Sequence, residues 1–322
     1  MNLEYKTMTN TNHSYIWGSQ HSDAFASMVL NEKLVGRGQL HHSTTDAFIL
    51  MIPGFGCTDY IFKPFIQQFH QLANDKNQCH YLFWNNRGID PHTAEEFYSI
   101  SDMALEVLQF LLAFKTEYPS ARIHLQGISM GGFIAQEVIR LLSDSHLSQS
   151  NTKYCEIKSS ILSLVLLCTT SGGDTFITPK KMTEEGLRAF YALDPLEATK
   201  LSTSMVVHPK FQSQDDVGFI KLVEERLKER LPLQTVLNQN RAAIAFLERE
   251  SSFKHFDLPT LILTGADDRF LDPENSIILS RQIKGAKVKL ISESDHFFFY
   301  EKPGECAKLV YEFYSDVINR LF

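Results

Sequence analysis

Six short strand-like runs, with helix-patterned stretches between them, constrain this chain more than any other feature. They are Ala47–Ile52, His80–Trp84, Ala121–Gln126, Ser160–Cys168, Leu258–Thr264 and Ala286–Ile291. The first, Ala-Phe-Ile-Leu-Met-Ile, is apolar without a break and stops at Pro53-Gly54. A strand covered on both faces reads this way. Helical spacing fills the gaps over Tyr60–Leu72, Ser101–Tyr118, Gly132–Leu142 and Glu274–Gln282, and again from Gly304 to the C-terminus. Ser101 or Asp102 is expected to cap the second of these, which ends at Pro119. Strands alternating with helices imply right-handed crossovers and a mostly parallel sheet with helices on both faces.

One stretch breaks the alternation. Residues 170–256 hold no good strand but several helical patterns, among them Thr183–Ala192, Asp215–Arg230 and Thr235–Glu250. So long a segment between two strands reads as an inserted helical subdomain rather than a loop. The expected organisation is a core over 47–169 and 257–322, a helical cap over 170–256, and an N-terminal segment over 1–46 that is polar and weakly patterned. Val35–Leu40 is read as part of an edge strand, and Ser143–Asn151 as a surface loop.

With 322 residues, 43% of them hydrophobic and 21% charged, the chain can bury one large core. Its 31 Lys and Arg against 38 Asp and Glu leave a formal charge of −7. That balance argues against a nucleic-acid partner. No run reaches the ~18 apolar residues that a membrane span needs. The N-terminus has no apolar stretch of signal-peptide type, and the five cysteines (Cys57, Cys79, Cys155, Cys168 and Cys306) show no C-x-x-C pair. The expectation is a cytoplasmic protein with reduced thiols. No residue cluster asks for a cofactor or a metal. His41-His42 lack ligand spacing, and Gly36-Arg-Gly38 lacks the rest of a nucleotide fingerprint.

Chemistry enters at Gly127-Ile-Ser-Met-Gly131. As a bare G-x-S-x-G pattern it would arise by chance in roughly one chain of this length in ten. Its position carries the information: a strand precedes it and a helix follows, so a sharp turn lifts the Ser129 hydroxyl beside a helix N-terminus. A serine needs a base to take its proton, and the base needs an acid to fix its tautomer. In an open parallel sheet these groups project from the carboxyl ends of strands. Gly265-Ala-Asp267-Asp268 follows the Leu258–Thr264 strand, and Glu293-Ser-Asp-His296 follows the last one. The order Ser, Asp, His is the one expected for such a triad on this kind of sheet.

From Ala47 onward the chain resembles the α/β-hydrolase superfamily, in the group with a helical cap inserted after the sixth strand. Pro53-Gly-Phe-Gly56 resembles its oxyanion loop, Asn86-Arg-Gly88 its Asp-x-Arg-Gly turn, and Gly127–Gly132 its nucleophile elbow. Gly265–Asp268 resembles its acid turn, and His296 with Glu301 and Pro303 its histidine segment. The resemblance implies an eight-stranded, mostly parallel sheet. It implies Ser129 as nucleophile, His296 as base and Asp268 as the orienting acid, with the backbone N–H groups of Phe55 and Met130 as the oxyanion hole. The expected activity is cleavage of a small-molecule carboxylic ester through an acyl-enzyme. Thioesterase, lactonase, aminopeptidase, acyl transfer or C–C cleavage remain alternatives, as does a ligand receptor without turnover.

Three positions depart from the family pattern. Pro53 stands where a His is usual, Asn86 where an Asp is usual, and Ser294-Asp295 where a Gly precedes the His. The last of these is expected to alter the pKa or reach of His296, and the aromatic run Phe297–Tyr300 to shape the pocket. Asp267 competes with Asp268, and the family spacing favours Asp268. Asp272 reads as a helix N-cap ahead of Pro273. Cys57 is a rival nucleophile without a following base. His124 reads as a strand residue, and Lys221–Arg230 as a solvated helix face with i,i+4 pairs.

Overall fold

The computed structural model describes residues 5–11, 14–19, 25–29, 47–72, 79–88, 97–144, 152–174, 176–177, 182–214, 216–249 and 257–320. Nine strands form one sheet: β1 (Tyr5–Thr11), β2 (Ser14–Ser19), β3 (Phe25–Val29), β4 (Ala47–Ile52), β5 (Cys79–Asn85), β6 (Arg122–Ile128), β7 (Ile161–Leu167), β8 (Thr260–Gly265) and β9 (Lys287–Ile291). Their spatial order is β1-β2-β3-β5-β4-β6-β7-β8-β9. The six from β4 onward run parallel, while β1, β2 and β3 join antiparallel at one edge. The expected count is eight; the described residues alone supply nine. The additional strands lie in a stretch whose polar, unpatterned sequence hides them. The anticipated strand over Val35–Leu40 and most of the loop at Ser143–Asn151 lie outside the described residues.

β4 explains why a parallel strand carries no alternation. Phe48, Leu50 and Ile52 enter one core with α2 (Ile100–Glu117) and α3 (Met130–Ser143). Ala47, Ile49 and Met51 enter the other with α1 (Lys63–Leu72) and the C-terminal helix α12 (Pro303–Asn319). Each fully buried Leu or Phe contributes roughly 1.5–3 kcal/mol. The opposite case is β9, within the run Ala286–Ile291. It is the sheet edge, and Lys287 and Lys289 are exposed along it, which discourages pairing with another chain.

Two caps differ from expectation. α2 starts one residue early: Ser99 is its N-cap, and Asp102 at N3 closes a capping box by accepting from Ser99 N–H at 2.8 Å. Asp272 accepts from Glu274 N–H at 2.9 Å, as a capping residue does, although Pro273 itself precedes α10 (Glu274–Gln282). A helix α4 (Thr152–Ser160) leads directly into β7.

Among the described residues between β7 and β8 come five helices and no strand: α5 (Glu184–Tyr191), α6 (Pro195–Ser204), α7 (Pro209–Gln214), α8 (Asp216–Lys228) and α9 (Leu233–Leu247). A short helix α11 (Phe298–Glu301) precedes α12. Among the described residues no helix is long and apolar enough to cross a membrane. Cys57, Cys155, Cys168 and Cys306 form no disulfide.

Candidate active site

Ser129 occupies the turn between β6 and α3 with φ 51° and ψ −116°. An L-residue there carries roughly 1–3 kcal/mol of backbone strain. The surroundings hold it in place. Ser129 N–H donates to Leu167 O at 2.8 Å, and its carbonyl accepts from Thr169 Oγ1 at 2.8 Å and from Gly132 N–H at 2.9 Å. A Cβ on Gly127 would stand 2.3 Å from Gly131 O, and one on Gly131 would stand 2.2 Å from Ile52 O. Only glycine lets α3 start this close to β4 and β6. The turn therefore presents the Ser129 side chain at a helix N-terminus, where the backbone dipole favours developing negative charge.

His296 follows β9, and Asp268 follows β8. His296 Nδ1 lies 2.8 Å from Asp268 Oδ2, and both side chains are buried. The other Asp268 oxygen, Oδ1, accepts from Phe270 N–H at 2.9 Å and Leu271 N–H at 2.8 Å. A carboxylate so engaged can only accept from the imidazole, so Nδ1 carries a proton and Nε2 is the nitrogen left to gain or lose one. Burial works against charging His296, but Asp268 and, behind it, Cys168 favour the charged form, and together they hold the imidazole well above its ordinary pKa. Asp267, the rival acid, is half exposed and faces His208 at 3.6 Å. Of the two adjacent carboxylates, Asp268 is the one that meets His296 Nδ1.

The Ser294-Asp295 departure has a structural role. Asp295 is fully buried and accepts from His296 N–H at 2.8 Å, Arg269 N–H at 2.8 Å and Arg269 Nε at 2.5 Å. It braces the backbone of both the acid turn and the histidine turn. Glu301 extends the brace, accepting from Asp295 N–H at 3.0 Å and His208 N–H at 3.1 Å. Burial pushes the Glu301 carboxyl up to about 7.

Phe55 and Met130 line the same cavity as Ser129, and among the described residues neither backbone N–H meets a protein acceptor. The loop carrying Phe55 is tied from two sides. Asn86 Nδ2 donates to Pro53 O at 3.2 Å, while Trp84 Nε1 donates to Asn86 Oδ1 at 3.1 Å. Gln239 of α9 accepts from Gly56 N–H at 2.9 Å. The Asn86 amide can donate to Pro53 O, which an ionised Asp in its place could not.

Two cavities of about 370 Å³ each open from Ser129. One reaches Phe133, Asp174, Leu247 and Glu248. The other holds His296, Cys57, Phe190, Tyr191, Arg226 and Arg230 beneath α5, α6 and α8. Cys57 accepts from Tyr60 Oη at 3.5 Å and is buried. His124, buried in β6, pairs with Ser163 at 2.7 Å, and burial drives its pKa down to about 3.

Sequence reasoning missed several contributors. Thr169 and Gln239 act through contacts that no motif encodes, and the Asp295 brace is anticipated only as a departure beside His296. Cys168, left-handed at φ 39° just after β7, is buried near His296, and burial raises its thiol pKa. The Lys221–Arg230 stretch is corrected. Leu222 and Val223 are buried, Arg226 and Arg230 face the cavity, and among the described residues no ion pair joins its members. Its charged residues read as surface only because the packing that turns two of them inward is remote in sequence.

A parallel sheet with a strained serine at the β6–α3 turn, and an Asp–His pair after the last two strands, defines an α/β-hydrolase architecture. The chain belongs to the α/β-hydrolase fold family, whose sequence profile matches residues 48–303. Its fold is similar to that of a thermophilic esterase from Thermogutta terrifontis, with a TM-score of 0.63 and 18% identity over 98% of this chain and 99% of that one. A hydrolase from Pseudomonas aeruginosa gives 0.66 and 16% over 97% and 98%. An esterase from Exiguobacterium antarcticum gives 0.60 and 18% over 92% and 96%. Comparison with curated proteins returned no match.

Proposed function

We propose that the chain is a serine hydrolase that cleaves a small-molecule carboxylic ester, with helices α5–α9 as the cap that selects the substrate. The observation that carries this reading is the strained Ser129 sharing a cavity with His296, whose Nδ1 is bound to a buried Asp268.

In the proposed reaction Ser129 Oγ attacks the ester carbonyl while His296 Nε2 takes its proton. The carbonyl electrons move onto oxygen, where the N–H groups of Phe55 and Met130 receive them. Each such donor is worth roughly 2.7–4 kcal/mol in a preorganised site. Asp268 stabilises the imidazolium that forms. The intermediate collapses as the C–O bond to the alcohol breaks, and His296 returns the proton to the departing alkoxide. Water then repeats the sequence on the acyl-enzyme, with His296 again as base.

The direct test is intact mass after incubation with a fluorophosphonate, on the wild type and Ser129→Ala in parallel. One adduct on the wild type and none on the variant is expected. Folded wild type that takes no adduct and turns over no ester would overturn the reading in favour of a receptor on the same fold.

A further inference from the structure

Two arginines set the charge of the cavity that holds His296. Arg226 lies in the last turn of α8, and Arg230 just beyond it. Both line this cavity, whose other walls are mostly apolar and include no Asp or Glu. Arg226 Cζ stands 5.0 Å from the Phe297 ring centre, and its Nη2 donates to Ser202 Oγ at 3.3 Å. Arg230 Cζ stands 4.2 Å from the Tyr191 ring centre. Its Nη2 is shut off from solvent and, among the described residues, has no hydrogen-bond partner.

Among the described residues neither guanidinium has a carboxylate within ion-pair distance. Glu225 and Glu229, on the same stretch, accept instead from Tyr300 Oη at 3.4 Å and Thr58 Oγ1 at 3.5 Å. The cavity on the other side of Ser129 carries the reverse charge: Asp174 and Glu248 line it, with no Lys or Arg among the described residues. A guanidinium donor removed from water and left unpaired is costly, and buried donors are nearly always satisfied. Rings stacked on both arginines also fix their orientation in the cavity.

We propose that this cavity receives the anionic end of the substrate, so that the preferred ester carries a carboxylate on the group seated beneath α5, α6 and α8. The inference builds on the esterase reading and names its substrate class. Arg226 and Arg230 are then specificity determinants, and the carboxylate takes charge-assisted bonds from Arg230 Nη2 and the Arg226 fork. Either the acyl or the alcohol part of the ester can bear the anion.

The test compares matched esters on the full chain. 4-Nitrophenyl hydrogen glutarate against 4-nitrophenyl valerate places the carboxylate on the acyl side. 4-Carboxyphenyl butyrate against its methyl ester places it on the alcohol side. One carboxylate ester is expected to exceed its neutral match in kcat/KM by about ten- to one-hundred-fold, mainly through a lower KM. That preference should shrink as NaCl is raised and fall toward unity in Arg226→Gln and Arg230→Gln, with Arg230→Lys retaining part of it. Equal or poorer turnover of both carboxylate esters by the wild type, or an unchanged ratio in both variants, overturns the proposal.

Isothermal titration of Ser129→Ala with monomethyl glutarate and dimethyl glutarate separates this inference from the esterase reading. Tighter binding of the monoester supports the anion site even if no ester is hydrolysed. Equal or weaker binding of the monoester overturns it even if the esterase reading stands.

Discussion

Asp268→Asn probes the proposed chemistry at the point where two adjacent carboxylates are placed differently. In the wild type Asp268 Oδ2 faces His296 Nδ1 at 2.8 Å, and Oδ1 takes two backbone N–H bonds. Those two bonds keep the carbonyl oxygen of the new Asn at Oδ1, so its NH₂ group faces Nδ1. The imidazole must then accept at Nδ1 and carry its proton on Nε2, which leaves no base toward Ser129. The loss of a tautomer-fixing acid costs on the order of 10³–10⁴ in kcat, or about 4–5.5 kcal/mol. Asp267→Asn alters a half-exposed side chain 3.6 Å from His208 and is expected to change kcat less than about threefold. The assay is hydrolysis of 4-nitrophenyl acetate at pH 8, with far-UV circular dichroism to establish that both variants are folded. Losses of equal size, or the larger loss in Asp267→Asn, would refute the assignment of the acid.

Other outcomes follow from the same geometry. Ser129→Gly removes the Cβ from a left-handed position, so it should abolish turnover yet raise stability by about 1 kcal/mol in urea unfolding. Arg269→Ala leaves the fully buried Asp295 without its ion-pair partner and should destabilise the fold by roughly 3 kcal/mol, read from the same denaturation curves. Because the His296 pKa is raised, kcat/KM should climb with pH along a limb whose midpoint lies above the ordinary imidazole value of about 6.5; a midpoint at or below that value would contradict the Asp268 contact. The linked stability has the opposite sense. It is fully present below the unfolded pKa and is lost as pH rises through the folded one, a loss that Asp268→Asn should remove.

The order of elements was legible because the strands that carry it are buried on both faces. Ala47–Ile52 had to be apolar throughout, since Phe48 and Ile49 serve different cores. The elbow was legible too, because its glycines follow a strand and open a helix, although only Gly127 answers a clash within the turn and Gly131 answers one with the remote Ile52. The Asp268–His296 pair could be found from its positions after consecutive strands. The three antiparallel strands within residues 5–29 were not legible as strands, because a polar edge lacks the periodicity that marks a covered one. The edge position of β9 was hidden for a related reason: its pattern is similar whether a neighbour exists or not.

What the sequence by itself determined, then, is local: the strand–turn–helix that lifts Ser129, and the turns that carry Asp268 and His296. Only the tertiary structure decided what surrounds them. Asp295 braces the two turns through Arg269, which lies 26 residues away. Gln239 steadies the loop of Phe55 from 183 residues beyond Gly56. Arg226 and Arg230, which look like members of a charged surface stretch, line the cavity: Arg226 lies one turn after the buried Leu222 on the same face of α8, and Arg230 follows just beyond the helix end. Backbone geometry is encoded by neighbours in the chain. The charge and shape of a cavity are set by side chains brought together from remote segments, and no spacing in the sequence records which of them meet.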